Sequence, residues 1–341
     1  MSGLNYRVAG PDEALARAVI SARSARLAGI PDVLAASRGD LGLRAWRSQV
    51  LGSACADSDV AAQWLREDPG NPDARLLYAR CTVAQALRAA DHGDRKQAKG
   101  LAEIARRACW TAVEAAAGDP TPFAAMLALA PLNVLPETVR ISGPEGLEDL
   151  LGPWNLFAEI RKLDPLHREG HLRFLASLCS RNGGSDAQMM AFAQHVALST
   201  PFDSDPQLLM LVALVEHFKS KIAAAPRVSD PAEQARQEQA LLHSRNGQWR
   251  TEMALRVSLD MYEDWFPKAL HRFTPVIDFS YLAHALWAGD RTREASDVLR
   301  AMGLYASALP WSLYGQREQV LARVRAECHA GPPSPGWVRG P

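Results

Sequence analysis

An all-α fold, an α-solenoid of antiparallel helix pairs, is predicted by three features of the 341-residue chain. The pairs Asp68-Pro69, Asp119-Pro120, Asp164-Pro165 and Asp205-Pro206 stand between helical stretches, 51, 45 and 41 residues apart, about the length of one helix pair with its connectors. Proline fits the first turn of a helix and disfavours helix in the residue before it, so each pair marks where one helix stops and another starts. Apolar residues recur at three- and four-residue spacing through Ala-, Leu- and Arg-rich segments. No segment sustains period-two alternation, and Thr138 to Ile141 is too short to build a sheet.

The first helix is expected over 11–25, opened by Pro11-Asp12-Glu13, with Leu15, Val19, Ile20 and Ala22 at helical spacing. Shorter helices follow over 31–37, 41–52 and 57–66, bounded by Pro31, Gly39-Asp40 and the cap cluster Asp57-Ser58-Asp59. The strongest periodicity lies in 72–90, where Leu77, Cys81, Ala84 and Leu87 form one stripe behind the cap Asn71-Pro72. Residues 94–117 form its partner helix after the breaker Asp91-His92-Gly93. After Asp119-Pro120-Thr121-Pro122 an apolar segment runs to Leu135, and the breaker-rich stretch 136–146 reads as a connector. It divides an N-terminal helical-repeat part, 1–135, from a C-terminal part, 147–330, with a disordered tail at 331–341. Helices are expected in the second part over 147–162, 166–181, 185–199, 206–224, 231–245, 248–264, 275–288, 291–302 and 314–329. Ser185 and Gln188 have the spacing of a capping box.

Lys+Arg and Asp+Glu both number 38, so no long-range field draws the chain to phosphate backbones or anionic lipid, and nucleic-acid binding is not expected. Arg95, Lys96, Lys99, Arg106 and Arg107 form a basic side on one helix, but Glu103 interrupts it and a solvated face is the expectation. The longest apolar run, Leu208 to Val215, is far below the roughly 20 residues that span a bilayer, and reads as a helix buried on all sides. Met1 to Arg7 show no apolar h-region, so secretion is not expected. Cys55, Cys81, Cys109, Cys179 and Cys328 are widely spaced and never in a C-x-x-C pair, as expected of reduced, buried thiols in a cytoplasmic protein.

Phe279, Leu282, Ala283, Leu286, Gly289, Ala295 and Leu299 resemble the pattern of a tetratricopeptide helix pair, with small residues at the crossing and Gly289-Asp290 at the turn. Over about 150–325, the order L-D-P, then H-L-R-F-L-A-S-L-C-S-R-N-G-G-S, then M-M-A-F-A, A-G-D and L-P-W is similar to a group of bacterial helical-repeat proteins. In that group an aromatic-Gly-Gly-Ser turn precedes an M-x-x-F-A helix; here Asn182 stands in place of the aromatic. The resemblance implies a fold and no activity.

No catalytic motif is present, and no cofactor or metal is expected. His167 and His171 flank Glu169 at i, i+4 spacing, which would set two imidazoles on one helix face, yet His-x-Glu-x-His matches neither H-E-x-x-H nor H-x-x-E-H. They read as packing or surface histidines. Gly183-Gly184-Ser185 could present N–H groups to an anion, but the turn lacks the lysine of a phosphate loop and reads as a tight connection between helices. Most of the nine tryptophans are expected in the core, with Trp154 and Trp249, flanked by polar residues, the least obviously buried.

The function expected of such a chain is that of a non-enzymatic interaction module or scaffold holding a peptide or protein segment in a concave groove. Residues expected to line it are Arg75, Tyr78, His171, Arg173, Trp249 and Arg250. Two other readings are a small-molecule- or metal-binding helical protein with a pocket near 136–190, and a structural subunit of a larger assembly. Nothing in the composition sets an oligomeric state.

Overall fold

In a computed structural model, residues 4–136, 141–225 and 247–329 are described, with isolated positions between 230 and 240. The described residues are helical and contain no strand, only the isolated bridges Asn5 with Tyr305 and Ile141 with Gly152. The chain divides into two compact units, Pro11–His195 and Met1–Gly10 with Val196–Pro341.

The Pro11–His195 unit contains α1 (Glu13–Arg23), α2 (Ile30–Ala35), α3 (Leu41–Cys55), α4 (Val60–Glu67), α5 (Pro72–Asp91), α6 (Arg95–Ala115), α7 (Thr121–Leu127), α8 (Trp154–Leu163), α9 (Arg168–Ser177) and most of α10 (Asp186–Ser199). Short side chains set half of the starts. The carboxylates of Asp12, Asp40 and Asp94 accept the N–H groups of Leu15, Leu43 and Gln97, each at 2.9 Å. Asn71 Oδ1 accepts from the N–H groups of Asp73 and Ala74 at 2.9 and 3.4 Å. Ser185 Oγ accepts from the Gln188 N–H at 3.2 Å. Asp59 precedes α4 without a side-chain capping bond, so the cap expected from Asp57-Ser58-Asp59 is not made.

The Asp-Pro reading holds at α4 and α8, whose C-terminal caps are Asp68, outside the helical region, and Asp164, in extended geometry, since a following proline disfavours helix there. α5 and α6 form the longest hairpin of the unit, joined by His92, Gly93 and Asp94. The face α6 buries is a stripe of small residues, Ala98, Ala102, Ala105, Ala108, Cys109 and Ala112, which lets the two backbones approach closely. Gly52 does the same between α3 and α5, because a Cβ there would collide with the Cβ and carbonyl carbon of Arg80.

Two boundaries differ from those the sequence suggests. α8 begins at Trp154 rather than near 147, because Gly152-Pro153 cannot sit in a helix interior. The unit boundary falls at His195/Val196 and not in 136–146. The helices on either side of that stretch, α7 and α8, pack against each other and share one core. Of the expected helix over 231–245, Ala232, Glu233, Arg236, Gln237 and Ala240 are described and are helical; the rest of it and the tail 331–341 lie outside the described residues.

The second unit carries α11 (Leu209–Ala224), α12 (Glu252–Asp260), a π-helical turn over Met261–Trp265, α13 (Phe266–Ala269), α14 (Val276–Ala288), α15 (Thr292–Met302) and α16 (Arg317–His329). Leu208 to Val215 are all buried, as their unbroken apolar run predicts. Helix expected to end at 264 instead continues past Pro267. A regular helix would push that ring into the carbonyl four residues earlier, and the wider turn just before it makes room.

α14 and α15 form the hairpin that resembles a tetratricopeptide pair, and Leu282, Ala283, Leu286, Ala295 and Leu299 are buried. At its turn the left-handed position is taken by Asp290, at φ +62°, rather than by Gly289. Gly289 serves close approach instead: a Cβ there would lie 2.8 Å from Leu255 Cδ2 and 3.2 Å from the Trp249 carbonyl oxygen.

Candidate functional site

The loop Ala56–Asp59 between α3 and α4, together with α5 and α6, encloses an open cleft of about 510 Å³. Its wall is tied down by α5. Gln85 Nε2 donates to the Ala56 carbonyl at 2.9 Å, Arg88 Nη1 pairs with Asp57 at 2.7 Å, and the Cys81 thiol donates to the Cys55 carbonyl at 3.4 Å. Asp57 and Asp59 stand exposed at the rim. Tyr78, Leu101 and Ile104 supply a ring and aliphatic surface, and Ile104 is 48% exposed, an unusual position for an isoleucine on a helix otherwise buried through alanines. Burial pushes the Cys81 thiol up to about 11, so it stays protonated at neutral pH and is no nucleophile.

A second cleft, of about 430 Å³, is lined by Ala130, Asn133, Leu151, Gly152, Ser177 and Asn182 among others. Leu151, Gly152, Pro153, Ser177 and Asn182 of its lining fall in the 136–190 region where the sequence suggests a pocket, and Ala130, Asn133 and Leu135 precede it. Neither His167 nor His171 lines it. Gly183 caps the preceding 3-10 turn at φ +88°, and Gly184 is packed directly on the Leu178 carbonyl, so this turn serves chain reversal.

Five buried charged side chains form two clusters in the same unit. Arg44 bridges Asp73, at 2.8 Å, and Asp119, while Arg38 reaches Asp73 from the surface at 2.6 Å. Asp119 also accepts the Thr121 N–H at 2.9 Å, so this residue of an Asp-Pro pair joins α3, α5 and the start of α7. Arg80 grips Glu169 with both terminal nitrogens, and Arg173 adds a bond to Glu169 at 3.2 Å. Burial would raise the Glu169 carboxyl, but Arg80 and Arg173 hold it down at about 2.

This arrangement accounts for the histidines. His167 Nδ1 accepts from the Gly170 N–H at 3.1 Å as the cap of α9, which leaves the proton on Nε2. His171 Nδ1 faces the His167 carbonyl at 3.0 Å and so carries the proton. Its ring meets Phe157 edge-on at 4.9 Å. Burial lowers both histidines, His171 to about 4. The two imidazoles are thus committed to the helix start and the core, and Glu169 to two arginines. Among the described residues no group of three or more His, Cys, Asp or Glu side chains could hold a metal ion.

The six residues expected to line one groove are divided between the two units. Arg75, Tyr78, His171 and Arg173 lie in the Pro11–His195 unit, and Trp249 and Arg250 in the other. Tyr78 lines the larger cleft. Arg75 spans from the Pro69 carbonyl, at 2.8 Å, to that of Thr111, at 3.3 Å. Arg173 is half-buried against Glu169, and Arg250 is exposed and paired with Asp290 at 2.6 Å. His171 and Trp249 are core residues, 2% and 1% exposed, because each packs edge-on against another ring, Phe157 and His284 respectively. Trp154 is buried too, while Trp110 is 41% exposed. Trp110 and Ile104 both lie off the alanine stripe of α6, a signal the sequence contains.

No helix of the described residues is long and apolar enough to cross a membrane, and all five cysteines are buried. Comparisons with protein families, with curated proteins and with solved structures found no match.

Proposed function

We propose that the Pro11–His195 unit is an interaction module of the helical-repeat, α-solenoid kind, which binds a segment of another polypeptide in the cleft formed by the α3–α4 loop, α5 and α6. The observation that carries this reading is the lining of that cleft: aliphatic surface at Leu101 and Ile104, the Tyr78 ring, and an acidic rim at Asp57 and Asp59. Such a lining suits a segment with an apolar anchor next to a lysine or arginine. The role is binding rather than catalysis. The charged groups of the unit that are perturbed by burial are consumed in the ion pairs and helix caps that hold α3, α5 and α9 together.

Calorimetric titration with peptides that combine an aliphatic or aromatic anchor and a basic residue tests the proposal. Ile104→Glu is expected to weaken such binding at least about tenfold. Asp59→Lys should weaken it further without loss of a cap bond, since Asp59 makes none. Equal affinity in the parent chain and both variants would overturn the assignment.

The 430 Å³ cleft supports a second reading, a small-molecule site at the region the sequence suggests. Its lining mixes aliphatic side chains with the polar groups of Asn133, Ser177 and Asn182.

A further inference from the structure

The cleft of α5, α6 and the α3–α4 loop sets two demands on whatever fills it. Tyr78, Leu101 and Ile104 offer apolar surface, and Ile104 is half exposed. The rim is acidic, and its two carboxylates are unequal. Asp57 already pairs with Arg88 at 2.7 Å. Asp59 is exposed, makes no cap bond to α4 and has no ion-pair partner among the described residues. An occupant therefore needs an apolar group to cover Ile104 and one cation near it for Asp59.

The chain itself contains such a segment. The last described residue is His329, and residues 331–341 read Gly-Pro-Pro-Ser-Pro-Gly-Trp-Val-Arg-Gly-Pro. Trp337 and Val338 form an apolar pair, Arg339 follows directly, and no acid stands in this stretch to be repelled by the rim. Its other residues are four prolines, three glycines and a serine, a composition too poor in apolar side chains to bury Trp337 by itself. The other eight tryptophans all stand in helical segments or turns of the described residues. Tryptophan and arginine are enriched at binding hot spots, and prolines, with φ fixed, reduce the entropy a segment loses on docking. The eight residues 330–337 reach at most about 28 Å when extended, enough to leave α16 and enter a neighbouring molecule.

We propose, resting on the reading of this cleft as a peptide site, that its occupant is the segment 335–339 of a second copy of this chain. Trp337 and Val338 cover Ile104, Leu101 and the Tyr78 ring, and Arg339 pairs with Asp59. Each copy offers one segment and one cleft, so the contact joins unlike surfaces: reciprocal exchange closes a dimer, and one-way contact extends further.

Sedimentation velocity of the full chain over a range of concentrations tests this. The parent is expected to self-associate reversibly, and Trp337→Ala and Ile104→Glu should each weaken that association at least about tenfold. Mixed together, the two variants should associate in pairs, through the intact segment of the Ile104→Glu chain and the intact cleft of the Trp337→Ala chain. Asp59→Lys should weaken association severalfold, and Arg339→Glu added to that same chain should restore it. A parent that stays monomeric, association that Trp337→Ala leaves unchanged, or variants that remain apart when mixed would each overturn the proposal. Two peptides separate its failure from that of the cleft: residues 331–341, and an unrelated peptide with leucine next to lysine, each titrated calorimetrically into the Trp337→Ala chain. Binding of 331–341 that is lost when Ile104→Glu is added supports the proposal. Binding of the unrelated peptide alone overturns it and leaves the cleft as a peptide site, whereas binding of neither overturns both.

Discussion

Glu169 shows how much of this chain's buried polarity is structural. It is 5% exposed and held by Arg80 and Arg173, so its charge is tolerated only because the guanidinium groups supply what water would have supplied. Glu169→Gln leaves Arg80 buried beside a neutral group, and denaturant unfolding should show a loss of about 3–5 kcal/mol. Lys162→Ala, which removes a largely exposed pair with Glu159, should cost at most about 1 kcal/mol. The histidines add a pH dependence whose sign is fixed. His171 titrates at about 4 when folded, against 6.5 when unfolded, so the unfolded chain takes up protons first and stability falls as pH drops between those values. The shift corresponds to about 3 kcal/mol for His171, with His167 acting in the same direction. Glu169 contributes below its unfolded value of 4.5, losing its stabilisation as pH falls toward 2. Urea unfolding midpoints should therefore decline from pH 6.5 to pH 4, and His171→Gln, which keeps a donor for the His167 carbonyl, should flatten that decline. An unchanged slope in the variant would remove His171 as the cause.

At the scale of elements, the hairpin of α14 and α15 separates two roles that a turn sequence confounds. Gly289→Ala should destabilise by about 1–3 kcal/mol, since the new methyl meets Leu255 and the Trp249 carbonyl. Asp290→Gly should be nearly neutral or slightly stabilising in the same thermal melt, because Asp290 already occupies the left-handed region that glycine favours. What could be read from sequence here was local. Asn71-Pro72, Asp40 and Ser185 announce helix starts through bonds that span two or three residues, and Asp68-Pro69 and Asp164-Pro165 announce ends. What could not be read depends on distant partners. Nothing near Arg44 points to Asp73 and Asp119, and nothing near Arg80 points to Glu169, 89 residues away. The same limit explains Trp249: polar neighbours in sequence suggest exposure, while burial is decided by His284 in space. The register of α13 was hidden for a related reason, since Pro267 reads as a stop unless a π-helical turn precedes it.

For the whole molecule, an all-helical composition and two compact units are compatible with many roles, because a fold does not by itself specify a function. The cleft around Tyr78 narrows the choice. Its exposed isoleucine and Asp59 have no evident task in holding α3 to α6 together, while the Asp57–Arg88 pair, the alanine stripe and the Arg44 and Arg80 clusters do. The clearest measurement is photo-crosslinking in the cells that produce the protein, with a photoreactive amino acid placed at Ile104 in one sample and at Lys162, on an exposed face of α8, in another. A single polypeptide joined from position 104 and not from 162, and displaced by a basic peptide with an apolar anchor, is the result predicted. Equal labelling from both positions, or no adduct from position 104, would contradict the assignment of this cleft as the binding surface.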